Sequence, residues 1–216
     1  MSFVAQDITG SEPIALDVAK DHCYVTGSKW DTYITSLISA ARRYAESQTW
    51  LILRKGTYTY NLDSFPNSKY IKIDKYPVSS ISSLDYFDGQ GNQITLDTAK
   101  YFTDVQGYSA RIQIKHAVLN SNAENWPINT RKEATYWPVT NDQPNAVQIS
   151  LTAGFDGSSP RLTIPETITE AMLLMIKHWF DNRSSVEVSA QHRINAVEVP
   201  QSAKMLLNLE SMRVFV

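Results

Sequence analysis

One cysteine, Cys23, is all the thiol chemistry that 216 residues contain. A lone thiol closes no internal disulfide and builds no thiolate metal cluster, so a reducing compartment is the expected setting and the fold must stand on packing. An excess of either charge is missing too. Phosphate binding needs clustered cations, and a formal charge of −2 supplies no global drive for it. The opening MSFVAQDITGSEP has no basic segment followed by an apolar one, so no secretion signal is expected there. Also absent is an apolar run of membrane length. A span needs about 20 apolar residues. The greasiest stretch, Ala171 to Phe180, follows Glu166 and Glu170 and is interrupted by Lys177 and His178. It is predicted to be a buried helix.

Catalytic signatures are missing as well. No Gly-x-Ser-x-Gly elbow, phosphate-binding loop, dinucleotide fingerprint or His-Glu-x-x-His occurs. His22, His116, His178 and His192 have no ligand spacing among themselves. Asp85, Asp88 and Asn92 could face calcium, but the spacing lacks a bidentate Glu, and turn chemistry accounts for Asp-Gly-Gln-Gly-Asn. No catalytic residue, cofactor or metal site is therefore expected.

What is present is ordinary globular composition, 43% hydrophobic and 19% charged, which excludes wholesale disorder. A short helix is predicted near Leu16, Ala19 and Cys23. A full one is predicted over Ser28–Trp50, with an apolar stripe of Tyr33, Ile34, Leu37, Ile38, Ala41, Tyr44 and Ala45. Ser28 and Asp31 resemble a capping box at its start. From about Leu51 to Phe155 the period changes to two: Thr57–Leu62, Tyr70–Ile73, Ile112–Ile114 and Val147–Leu151 alternate as strands do. SSLDYFDGQGNQITL carries hairpin turn residues, which points to antiparallel pairing. Asn120–Asn145, broken at Trp126-Pro127 and Trp137-Pro138, reads as a long loop pinned by its tryptophans.

The helical period returns at Thr163–Asn182, where Thr163 and Glu166 form a second candidate capping box. Ile168, Ala171, Met172, Met175, Ile176 and Trp179 share a face there, widened by Leu173, Leu174 and Phe180. Two Val-Glu-Val triplets in 186–199 suggest a loose hairpin. Pro200 opens a last helix with Met205, Leu206, Leu209 and Met212 predicted on its inner side. The expected fold is α+β: a helical core from 13–50 and 163–213, and an inserted antiparallel β-rich module over 51–160. A projecting loop at 183–199 and a C-terminal tail at 212–216 complete the division. The aromatics Tyr58, Tyr60, Tyr70, Tyr76, Tyr86, Phe87, Tyr101 and Phe102 could fill sheet faces or form a sugar-stacking platform.

In order and spacing these motifs resemble the phage head–tail connector (adaptor) proteins. The resemblance rests on EPIALDVAK (Glu12–Lys20), DTYITSLISAARRYAES (Asp31–Ser47), LDSFP (Leu62–Pro66) and YPVSSISSLDYFDGQG (Tyr76–Gly91). It continues through Trp137-Pro138, Asn145–Ile149, Ala153–Phe155, IPETITEAMLLMIKHWFDNR and VPQSAKMLLNLESMRVF. Asn120–Thr135 departs from the pattern as an insertion.

The resemblance implies a non-enzymatic virion protein at the head–tail junction, assembled in the host cytoplasm. It implies a homo-oligomeric ring, twelve copies matching the portal, that extends the channel for DNA packaging and ejection. The implied partners are the portal protein, a neck, stopper or tail protein, other copies of itself and DNA passing without sequence-specific binding, with no membrane. Met212, Arg213, Val214, Phe215 and Val216 are the candidate portal-binding residues. Leu173, Leu174, Lys177, Phe180 and Arg183 are candidates between subunits, and Arg42 and Arg43 for facing the DNA channel. The alternative reading is a carbohydrate-binding or other tail-associated virion module that uses the aromatic sheet.

Overall fold

The computed structural model describes residues 2–115, 137–182, 186–188, 194–196 and 199–211. The fold is α+β, and it divides into two compact units. One comprises Met1–Thr9 and Lys55–Gly154, the other Gly10–Arg54 and Phe155–Val216.

Among its described residues the first unit is built of strands, with one 3-10 turn at Thr98–Lys100. A five-stranded antiparallel sheet has the order β1 (Ser2–Ile8), β2 (Gly56–Leu62), β8 (Val147–Ala153), β4 (Val78–Phe87), β5 (Gln93–Thr95). A second sheet of three strands runs β3 (Tyr70–Ile73), β7 (Ala110–Ile114), β6 (Tyr101–Asp104). Alternation becomes burial directly. Tyr60, Ile149 and Leu84 pair in one row across β2, β8 and β4, with Leu62, Val147 and Tyr86 in the next, and all six are buried. Each fully buried aliphatic chain there contributes about 1.5–3 kcal/mol. In the smaller sheet Ile71 lies opposite Ile112, and Tyr101 opposite Ile114, on its buried face. Trp137 stacks on Phe65 at 5.0 Å while its indole N–H donates to the carbonyl of Ser68 at 2.8 Å, which pins this part of the predicted loop. Trp126 lies outside the described residues.

The β4–β5 hairpin forms as its turn residues predict. Asp88 Oδ1 accepts the backbone N–H groups of Gln90 and Asn92, both at 2.9 Å. β1 has no alternating signature because it is an edge strand exposed at most positions. It pairs with β2 from Ser2 opposite Asn61 to Ile8 opposite Gly56.

Among its described residues the second unit holds four α-helices, α1 (Leu16–His22), α2 (Asp31–Thr49), α3 (Glu166–Asp181) and α4 (Gln201–Leu209). α2 buries Ile34, Leu37, Ile38, Ala41 and Ala45 at the predicted spacing, and α3 buries Ile168, Ala171, Met172, Met175 and Ile176. α2 ends at Trp50, whose left-handed backbone (φ 64°) turns the chain so that Leu51, Ile52 and Leu53 bury. Glu46 secures that turn: its Oε1 accepts the N–H of Leu53 at 3.0 Å.

Three local expectations need correction. Neither capping box forms, because the N-caps are Trp30 and Pro165, each two residues beyond the intended hydroxyl. Ser28 offers only its carbonyl to Asp31, and Thr163 Oγ1 donates to the carbonyl of Ser159. The first Val-Glu-Val triplet, β9 (Val186–Val188), pairs with β10 (Ile194–Ala196), and residues 197–198 of the second triplet lie outside the described residues. Finally, α4 turns inward on Ala203 and Leu207, leaving Met205 and Leu209 exposed.

Candidate subunit interface

The last two turns of α3 and the start of α2 build an aromatic cluster in the helical unit. The Phe180 ring meets Trp30 edge-on at 5.9 Å and Tyr33 at 6.1 Å, and Trp30 meets Tyr33 at 6.4 Å. Beside it Trp179 stands edge-on to Tyr44 at 6.4 Å. None of these rings is fully buried, so the cluster has one packed side and one reachable side.

Cations border the rings. Lys29 Nζ lies 5.3 Å from the centroid of Trp30, and Lys177 Nζ lies 5.8 Å from that of Tyr24. Lys177 also bonds Asp181 at 2.7 Å, and that carboxylate raises the lysine pKa. Tyr24 itself is held at φ 59°, a left-handed backbone that costs a bulky residue about 1–2 kcal/mol. Cys23, next to it, is buried, and loss of water pushes its thiol pKa up. On the facing turn the Nε2 of His178 is buried without a hydrogen bond among the described residues.

Of the residues expected between subunits, Leu173, Leu174, Lys177 and Phe180 are all half-buried on α3, and Phe180 and Lys177 belong to the cluster. Arg183 and the tail residues Met212, Arg213, Val214, Phe215 and Val216 lie outside the described residues. Arg42 is engaged within the unit. Its guanidinium reaches Glu12 and Glu46, each at 2.8 Å, and its side chain is 12% exposed. Burial works against that charge, and the two carboxylates outweigh it, so the arginine pKa is raised. Arg43 is the exposed member of the pair.

Of the eight sheet aromatics, Tyr58, Tyr60, Tyr86 and Tyr101 are buried, Tyr76 and Phe87 half-buried, and Tyr70 and Phe102 exposed. Those two flank Gln113 in one row on the outer face of the three-stranded sheet. Among the described residues no three His, Cys, Asp or Glu side chains converge to hold a metal ion, and no helix is long and apolar enough to cross a membrane.

Two surface features escaped the sequence reading. One is the outward pair Met205 and Leu209. The other is an open hollow of about 570 Å³ lined by Leu16, Asp17, Lys20, Asp21, Val25, Thr26 and Gly27. The first carried a signal: α4 has apolar residues at 203, 205, 206, 207 and 209, too many for one face. The hollow carried none, since it arises from how α1 meets the loop after it.

Neither a protein-family model nor a curated protein matches the sequence. Solved structures do match. A chain from the virion of a native gene transfer agent (GTA) particle aligns with TM-score 0.70 at 16% identity. A chain from the neck of an empty GTA particle computed with C6 symmetry aligns with TM-score 0.68 at 17%. A third, from the neck of a native GTA particle computed with C12 symmetry, aligns with TM-score 0.64 at 17%. Each alignment covers 98% of this chain and 95% of the other. At such identities the likeness establishes a common fold, in both units and from end to end.

Proposed function

We propose that this chain is a structural connector in the neck of a phage-like particle, forming a ring beneath the portal. The observation that carries the reading is the whole-chain fold shared with chains of GTA necks and virions. The half-buried apolar flank of α3, Leu173, Leu174 and Phe180, supports it, since a subunit of a ring needs apolar surface its own core does not cover. Twelve copies is the number we infer, matching a portal. Arg43, exposed where Arg42 is tied down, is the residue we assign to the DNA channel. The tail Met212–Val216 would add a strand to the portal, and 183–199 would project toward the next protein of the neck.

The test is the native mass of the purified chain, alone and mixed with the portal protein of the same genome. A portal-dependent complex with equal copies of each is the expected result. Failure to join any portal assembly would remove the reading. Replacing Phe215 and Val216 with Asp should abolish docking without unfolding the chain; unchanged docking would dismiss the tail's role.

A second reading, a glycan-binding virion module, is favoured by one observation, the exposed row Tyr70–Gln113–Phe102. Two rings flanking an amide can stack on sugar faces while the amide bonds hydroxyls. Saturable glycan binding lost on Tyr70→Ala and Phe102→Ala would establish it.

A further inference from the structure

The outer face of the three-stranded sheet has a defined spacing and a defined charge state, and both select among ligands. Tyr70 and Lys72 on β3 and Arg111 and Gln113 on β7 are exposed on that face. On β6, Phe102 lies opposite Gln113 and Asp104 opposite Arg111. Tyr70 is 46% exposed and Phe102 59%. Lys115 backs one face of the Phe102 ring, with Nζ 4.5 Å from the centroid. No aliphatic side chain occurs among these six outward positions, while Ile71, Ile73, Ile112 and Ile114 are buried on the other side.

The charges on this face are already matched. Lys72 Nζ bonds Asp74 at 3.1 Å, and Arg111 Nη2 bonds Asp104 at 3.0 Å. A phosphate backbone needs a track of uncommitted cations, and a protein interface needs a contiguous apolar centre. Here two rings are held apart by an amide and bordered by ion pairs. Paired charges offer hydrogen-bonding edges with little net field, which suits a ligand that is neutral and rich in hydroxyls. Aromatic rings add to its binding by covering its apolar C–H faces.

The spacing is set by the strands. Neighbouring strands stand about 4.8 Å apart, so Tyr70 and Phe102, two strands apart, are about 10 Å from each other at the backbone. A β-1,4-linked sugar chain is an extended ribbon whose alternate units present the same face after a step of similar length. An α-1,4-linked chain curls away from such a line.

We infer that this face binds a neutral β-1,4-linked oligosaccharide laid across the strands. Its first and third units stack on Tyr70 and Phe102, and Gln113 hydrogen-bonds the unit between them. The inference rests on the glycan reading, which it narrows to a linkage, a charge and a length of three units. The connector reading does not depend on it.

Calorimetric titration of the full chain tests it, with cellotriose, chitotriose, their disaccharides, maltotriose and an oligothymidylate as probes. Cellotriose or chitotriose should bind saturably, and its disaccharide about tenfold more weakly, because the shorter sugar reaches only one ring. Tyr70→Ala and Phe102→Ala change exposed positions and should keep the native Tm, yet each should bind the two lengths alike. Added salt should leave the affinity unchanged, since a neutral sugar forms no ion pair. Equal affinity for maltotriose, or for both lengths in the unsubstituted chain, would overturn the inference and leave the glycan reading standing. Salt-sensitive binding of the oligothymidylate in place of sugar would overturn both in favour of a nucleic acid. No binding of any of these sugars would remove both as well.

Discussion

Arg42 on α2 donates from Nε to Glu12 at 2.8 Å, across thirty positions of sequence, and from Nη1 to Glu46 one turn further along its own helix. Glu12 also faces Arg54 at 3.5 Å, and Arg54 Nε donates to the carbonyl of Gly10. The network ties the segment before α1 to the middle and the end of α2. Because Arg42 is largely buried, removing it takes the shared cation from two partly buried carboxylates, leaving Glu12 with Arg54 and Ser39 and Glu46 with the N–H of Leu53.

Arg42→Ala is therefore expected to destabilise the helical unit by about 2 kcal/mol, within the range for hydrogen bonds to charged groups. In a chain of this length that lowers Tm by about 4–8 °C. Arg42→Lys should recover only part of the loss, since an ammonium cannot hold both carboxylates in the planar fork. Thermal melts of the three proteins decide it, and equal Tm values would dismiss the network.

The two faces of α4 should respond oppositely. Leu207→Ala is expected to cost about 2–4 kcal/mol, as a fully buried leucine does. Met205→Ala and Leu209→Ala, at exposed positions, should stay within about 0.5 kcal/mol. Urea denaturation measures all three, and the opposite ranking would mean that α4 packs through the face expected from sequence.

At Gly56 a side chain has nowhere to go. A Cβ there would lie 2.5 Å from the carbonyl oxygen of Asp7 and 2.8 Å from Ile8 Cδ1, where β1 crosses the start of β2. Gly56→Ala should cost about 1–3 kcal/mol, as overpacking does. The loss should appear as faster amide exchange in β1, and unaltered exchange would contradict the pairing.

The Asp88 carboxylate accepts the backbone N–H of Asn92, then its side-chain amide and the N–H of Gln90, and its pKa falls below the ordinary 3.8. A depressed folded pKa stabilises the hairpin above pH 3.8 and loses that effect as pH drops through the lowered value. Carboxyl NMR titration should put the midpoint under 3.8, and Asp88→Ala should remove the acid-dependent part of hairpin exchange.

The strands that bury one face were legible from sequence, because burial and alternation are the same fact seen twice. β2, β3 and β8 came within one or two residues of their bounds. β1 was not legible: its residues are mostly exposed, and its place depends on a partner beyond the first two helices. Ser28 and Thr163 misled because a hydroxyl three residues before an acid marks a helix start only when it occupies the N-cap itself. The α3 cluster was half legible. Phe180 stood out on an overloaded helix, but Trp30, Tyr33 and Tyr24 reach it only through the fold.

The order of the five-stranded sheet also sets a schedule for synthesis. β8 lies between β2 and β4 and pairs with both, yet it leaves the ribosome about 85 residues after β2, some 4–17 s later at usual elongation rates. Until then β2 and β4 each carry an open hydrogen-bonding edge and an uncovered apolar face. The nascent chain is most vulnerable to misassociation in that interval, so a slow codon before Val147 should lower the soluble yield more than one after Ala153.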